Sequence, residues 1–125
     1  MSRAESAQEV MEILLRNRGA GASFFNCSLK DLEPHLDICG MNEGADLMAL
    51  HLSRGNKVVI SADYDCDGVT SAAQMSLFLK DIGYANYEII IPHRSEGYGI
   101  PERAVVDNPD ARLFVLLDCG TSDYG

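Results

Sequence analysis

The chain has 125 residues, 46% of them apolar and 23% charged, a length and balance that suit one ordinary globular domain with a modest core. Ten basic against nineteen acidic residues leave a formal charge of -9, which excludes the basic face expected of a free-standing nucleic-acid binder, so little DNA binding is expected of this chain alone. No apolar run approaches the roughly 18 residues of a membrane span, and the polar start MSRAESAQEV lacks a secretory signal, so a cytoplasmic protein without a membrane partner is expected.

Residues 4–18 place Ala7, Val10, Met11, Leu14 and Leu15 at helical spacing, and Gly19 and Gly21 end the run. Residues 22–41 contain Pro34 and read as a loop with a short helix opening at Ser28, a good N-cap. Residues 42–54 predict a further helix, capped by Asn42 and stopped by Gly55. The pattern changes at Lys57. Val58, Val59 and Ile60 form an apolar, β-branched strand; residues 69–82 predict a helix closed by Gly83; residues 87–91 are a second strand; residues 101–107 a short helix with Pro101 in its first turn; residues 112–117 a third strand.

Strand, helix, strand, helix, strand, with strands apolar throughout, predicts an α/β fold: a parallel sheet flanked by helices and joined by right-handed crossovers. Residues 1–55 are expected as a helical lead-in packed on that sheet, and 56–125 as the α/β domain proper. A third strand left at the sheet edge predicts self-association of the chain through that edge. The four cysteines, Cys27, Cys39, Cys66 and Cys119, contain no C-x-x-C pair and read as reduced thiols.

The chemistry concentrates directly after the first strand, in Ser61-Ala62-Asp63-Tyr64-Asp65-Cys66-Asp67-Gly68. Three carboxylates at alternate positions repel one another, and a fold keeps such a group mainly where a cation neutralises it. All-oxygen ligands suit Mg²⁺ or Mn²⁺. Gly68 reads as a tight turn into the next helix. Asp118 follows the third strand, and ligands of parallel sheets bind beyond the carboxyl ends of the strands. If the third strand lies beside the first, Asp63, Asp65, Asp67 and Asp118 converge as the skeleton of a two-metal site for attack on a phosphodiester. An EF-hand loop fits worse, because Gln74 stands where its bidentate Glu belongs and a strand precedes the motif. A haloacid-dehalogenase pattern, with Asp65 as nucleophile and Asp67 as acid/base, leaves Asp63 unexplained.

The segment KVVISADYDCDGVTS resembles the first motif of the RecJ branch of the DHH (Asp-His-His) phosphoesterase superfamily, with Ala62 where that motif usually has Gly. Ile91–Ile100 (IPHRSEGYGI) and Leu117–Ser122 (LDCGTS) resemble its next two motifs. The resemblance spans nearly the whole chain. It implies a Rossmann-like parallel domain holding two Mn²⁺ or Mg²⁺ ions, with Asp65, Asp67 and Asp118 as metal ligands and Asp63 a ligand or close partner. It implies two-metal activation of water in a nuclease that digests single-stranded DNA from the 5′ end, with roles in DNA repair and recombination. Other members cleave short oligonucleotides or cyclic dinucleotides, and a degenerate, non-catalytic binding module is a further alternative. The naming Asp-His-His motif does not occur in the 125 residues and is expected beyond them, so the enzyme reading applies to a longer parent protein and this chain alone is expected to be inactive.

Arg94, Glu96 and Tyr98 are the candidate substrate residues, Arg94 facing a phosphate and Tyr98 stacking on a base. The plainer alternatives are an internal ion pair shaping the loop around Gly97 and Gly99, and a packing role for Tyr98. His93 reads as a bystander, and His35 and His51 as structural or exposed.

Overall fold

The computed structural model describes residues 6–21, 24, 28–32 and 34–121, except the side chain of Leu36; Cys27 and Ser122 lie outside them. Two compact units form, residues 1–41 and 42–125. In the first, α1 (Ala7–Asn17) starts at Ser6, whose hydroxyl accepts from the Glu9 amide at 3.2 Å. Ser28 caps a single 3-10 turn, Leu29–Asp31, and Asp31 accepts in return from the Ser28 amide at 2.7 Å.

The second unit takes in nearly all of α2 (Met41–Ser53), then β1 (Val58–Ala62), α3 (Cys66–Asp81), β2 (Tyr87–Ile90), α4 (Glu102–Val106) and β3 (Leu113–Leu117). The sequence places α2 with the lead-in. In the fold it groups with the sheet, because Leu52 packs on the core of Val58, Ile60 and Leu79.

The three strands are parallel in the order β2-β1-β3. All five residues of β1 are buried. Their alternation divides the core into two layers. Val58 and Ile60 meet Leu79 of α3, with Met75, Ile89, Leu113 and Val115 around them. Val59 meets Ile90 and Ala104 of α4, with Ile100 and Phe114. Each fully buried Val or Ile contributes roughly 1.5–3 kcal/mol. Only β1 is covered on both faces; β2 and β3 flank it and keep partial exposure despite their apolar sequences. No helix among the described residues is long and apolar enough to cross a membrane.

Helix α3 begins at Cys66, three residues before the start that the apolar spacing predicts. The reason is Asp65. Its extended backbone and its carboxylate, which accepts from the amides of Asp67 (3.0 Å) and Gly68 (3.1 Å), make it the N-cap.

Candidate metal centre

The register decides which side chains meet. Ala62 of β1 pairs with Leu117 of β3, so the next residue on each strand is an aspartate, Asp63 and Asp118. The Asp63 amide donates to the Leu117 carbonyl at 3.2 Å and carries the pairing one step past β1. Asp65 follows two residues later. Carboxylate oxygens of Asp63, Asp65 and Asp118 lie within 4.8 Å of one another at this carboxyl end of the sheet. Asp63 is buried, with 6% of its surface exposed, while Asp65 and Asp118 face solvent.

Asp67 is not one of that trio. Alternate residues share a side only in extended chain; because α3 starts at Cys66, Asp67 already lies on the helix. Gly68 is required for a reason other than the turn expected from sequence. A Cβ there would fall 2.2 Å from the main-chain oxygen of Asp63. Helix and acidic loop can approach this closely only when position 68 has no side chain.

Asp118 is strained and electrostatically stressed. Its φ is 58°, the one positive value at a non-glycine position among the described residues. Such a conformation costs of order 1 kcal/mol and concentrates at functional sites. Its carboxyl titrates above the ordinary aspartate value, first through local desolvation, then through the negative charges of Asp65, Asp67 and Asp63, with a hydrogen bond to Asp65. Among the described residues, no Lys or Arg forms an ion pair with any of the three acids.

The segment between β2 and α4 borders the trio. The Arg94 guanidinium lies over the Tyr64 ring, 4.9 Å from its centroid. Glu96 forms an ion pair with Arg103 of α4, and not with Arg94, the partner that the plainer reading gives it. Arg103 Nε donates to Oε1 at 2.7 Å and Nη2 to Oε2 at 3.2 Å, while Nη2 also reaches the Ile91 carbonyl at 3.2 Å. The pair and the His93 amide hold the Glu96 carboxyl below its ordinary range, with Arg103 the larger cause. His93 accepts from the Ser95 amide and caps the 3-10 turn Arg94–Glu96. The Tyr98 hydroxyl donates to the Asp118 carbonyl at 2.9 Å, and the residue is 64% exposed. His51 bonds Asn56 at 3.0 Å, and His35 is exposed. Sequence reasoning missed Arg103 and Tyr64. Nothing in the sequence ties Arg103 to Glu96 seven residues earlier, whereas an aromatic flanked by two metal-type aspartates was a usable signal for Tyr64.

Three carboxylates within reach of one another, with their repulsion uncompensated, fit a hard divalent cation. The model of the DHH family, N-terminal domain, matches residues 57–124, more than half of the chain. The chain belongs to the DHH family. Within that family it is 32% identical over 102 residues to the single-stranded-DNA-specific exonuclease RecJ of Escherichia coli, covering 78% of this chain and 17% of the relative. It is 32% identical over 125 residues to RecJ of Thermus thermophilus, covering 94% of this chain and 19% of the relative. A crystal structure of exonuclease RecJ bound to manganese superposes with a TM-score of 0.65 at 33% identity, over 74% of this chain and 24% of the other. This DHH chain therefore spans less than a fifth of the length of these curated relatives.

Proposed function

We propose that this chain supplies the acidic half of a divalent-metal centre in a phosphodiesterase that hydrolyses single-stranded DNA from the 5′ end. The observation that carries the reading is the convergence of Asp63, Asp65 and Asp118 at the carboxyl end of a parallel sheet. The exonuclease relatives and the manganese-bound neighbour support it. Asp63, Asp65 and Asp118 hold Mn²⁺ or Mg²⁺; Asp67 is assigned to the same two-ion centre from its motif, and its charge already reaches Asp118. Divalent cations held there lower the pKa of water and offset charge that develops on a phosphate.

The chain's own residues divide the remaining work. Asp65 keeps its carboxylate at the mouth of α3 by capping the helix. Arg94, held over Tyr64 and in no ion pair among the described residues, offers its guanidinium to a phosphate. Glu96 acts through Arg103 to fix the loop that presents Arg94. The net charge of -9 opposes DNA binding by this chain alone, so the parent protein supplies the groups that grip the strand. The outer edge of β3 has no strand partner among the described residues, and self-association through it belongs to the same proposal; purely monomeric sedimentation at high concentration removes it. A cytoplasmic setting fits the cysteines, none of which is disulfide-bonded among the described residues.

The test is calorimetric titration with Mn²⁺ of the wild-type chain and of Asp65→Asn combined with Asp118→Asn. Saturable binding by the wild type and none by the variant is expected. Equal binding by both sinks the site.

A further inference from the structure

We infer that Tyr98 is a positioning residue whose hydroxyl holds the Asp118 main chain, and with it the Asp118 carboxylate, in place for the cation; this rests on the metal reading above. Asp118 sits in a left-handed conformation immediately after β3, and two residues later Gly120 is also left-handed at φ 89°. The chain therefore leaves the sheet at Asp118. The Asp118 carbonyl instead accepts from the Tyr98 hydroxyl at 2.9 Å.

Tyr98 can serve as a fixed anchor because its own loop is fixed. The Glu96–Arg103 pair, with Arg103 also on the Ile91 carbonyl, ties the loop to α4. Arg94 over Tyr64 ties it to the acidic loop itself. The segment from Arg94 to Tyr98 thus touches both parts of the chain that carry the trio, one contact beside Asp63 and Asp65 and the other on Asp118. A strap across two mutually repelling segments opposes the tendency of Asp118 to move away. The rival role, a base stacked on the exposed Tyr98 ring, needs the ring alone. Positioning needs the hydroxyl.

Tyr98→Phe separates the two, and Tyr84→Phe is the control. Tyr84 makes the same type of bond, hydroxyl to the Asn56 carbonyl, at the opposite end of the sheet. Mn²⁺ affinity is measured by calorimetry for wild type, Tyr98→Phe, Tyr84→Phe and Asp118→Asn, alongside thermal midpoints without metal and the electron paramagnetic resonance line shape of bound Mn²⁺. The expected result is an affinity about tenfold weaker in Tyr98→Phe, as for groups that orient metal ligands, with an altered Mn²⁺ line shape. Tyr84→Phe lowers the thermal midpoint and leaves affinity and line shape at wild-type values. Equal affinity in Tyr98→Phe and wild type, with binding lost in Asp118→Asn, overturns the role of Tyr98 and leaves the metal site standing. An equal fall in affinity in both tyrosine variants reduces Tyr98 to general stability and also overturns it. Wild-type binding by Asp118→Asn removes the metal site and this role together.

Discussion

The two ends of the sheet are built from the same strands and treat charge in opposite ways. At the amino end, Lys57 lies between Glu88 (3.6 Å) and Asp110 (3.3 Å), the Arg112 amide donates to the Lys57 carbonyl, and the Asn86 side chain donates to the Gly55 carbonyl. Opposite charges are matched and polar groups find partners within the chain. At the carboxyl end three aspartates crowd together with no basic ion-pair partner among the described residues, one on a strained backbone. The first end is organised for stability. The second keeps a repulsion that the proposed cation would relieve, at the end of a parallel sheet where ligands bind.

The largest expected effect comes from closing the space between the helix and the acidic loop. Gly68→Ala should destabilise the fold by about 3 kcal/mol, since a methyl group must push main chain aside. Urea denaturation measures it, and wild-type stability in the variant would contradict the close apposition of Gly68 and Asp63.

Next is a substitution that separates stability from binding. Asp118→Asn should lower Mn²⁺ affinity by about a hundredfold or more while leaving the metal-free thermal midpoint equal or higher, because it removes one of the repelling charges. A lower midpoint would mean that the carboxylate holds the fold together. Lys57→Met does the reverse at the other end. Its partners are largely exposed, so a loss under about 1 kcal/mol is expected, with Mn²⁺ affinity unchanged. Any fall in affinity would break the division between the two ends.

The smallest effect is one of pH. Glu96 titrates below its ordinary value of 4.5, so the stability it contributes is complete above that value and disappears as pH falls through the lower, folded one. Asp118 has the opposite sign: its charge disfavours the folded state at neutral pH, and protonation relieves this as pH falls through its raised value. Thermal midpoints of wild type and Glu96→Gln should differ at neutral pH and converge in acid below 4.5. A gap that persists in acid contradicts the assigned pair.

Much of this was legible in the residues. Apolar runs located all three strands, and the placement of Asp63 and Asp118 after two of them foretold their meeting once β1 and β3 became neighbours. Other features depend on relations that a linear pattern does not carry. The start of α3 hid behind the double identity of Asp65, which reads as a ligand and also caps the helix. That early start takes Asp67 out of the trio. The Glu96–Arg103 pair joins a loop to a helix seven residues on, at no regular spacing. The closeness of Gly68 to Asp63 exists only once the helix has docked.

The backbone at position 118 bears on how mutagenesis of this residue should be read. An alanine scan would remove the carboxylate and simultaneously burden a residue that must remain left-handed, a shape asparagine accepts and alanine resists. Lost Mn²⁺ affinity after Asp118→Ala would then combine two separate injuries in one number. The amide replacement isolates the chemistry, and the difference between Ala and Gly, which tolerates the shape without any side chain, isolates the geometry.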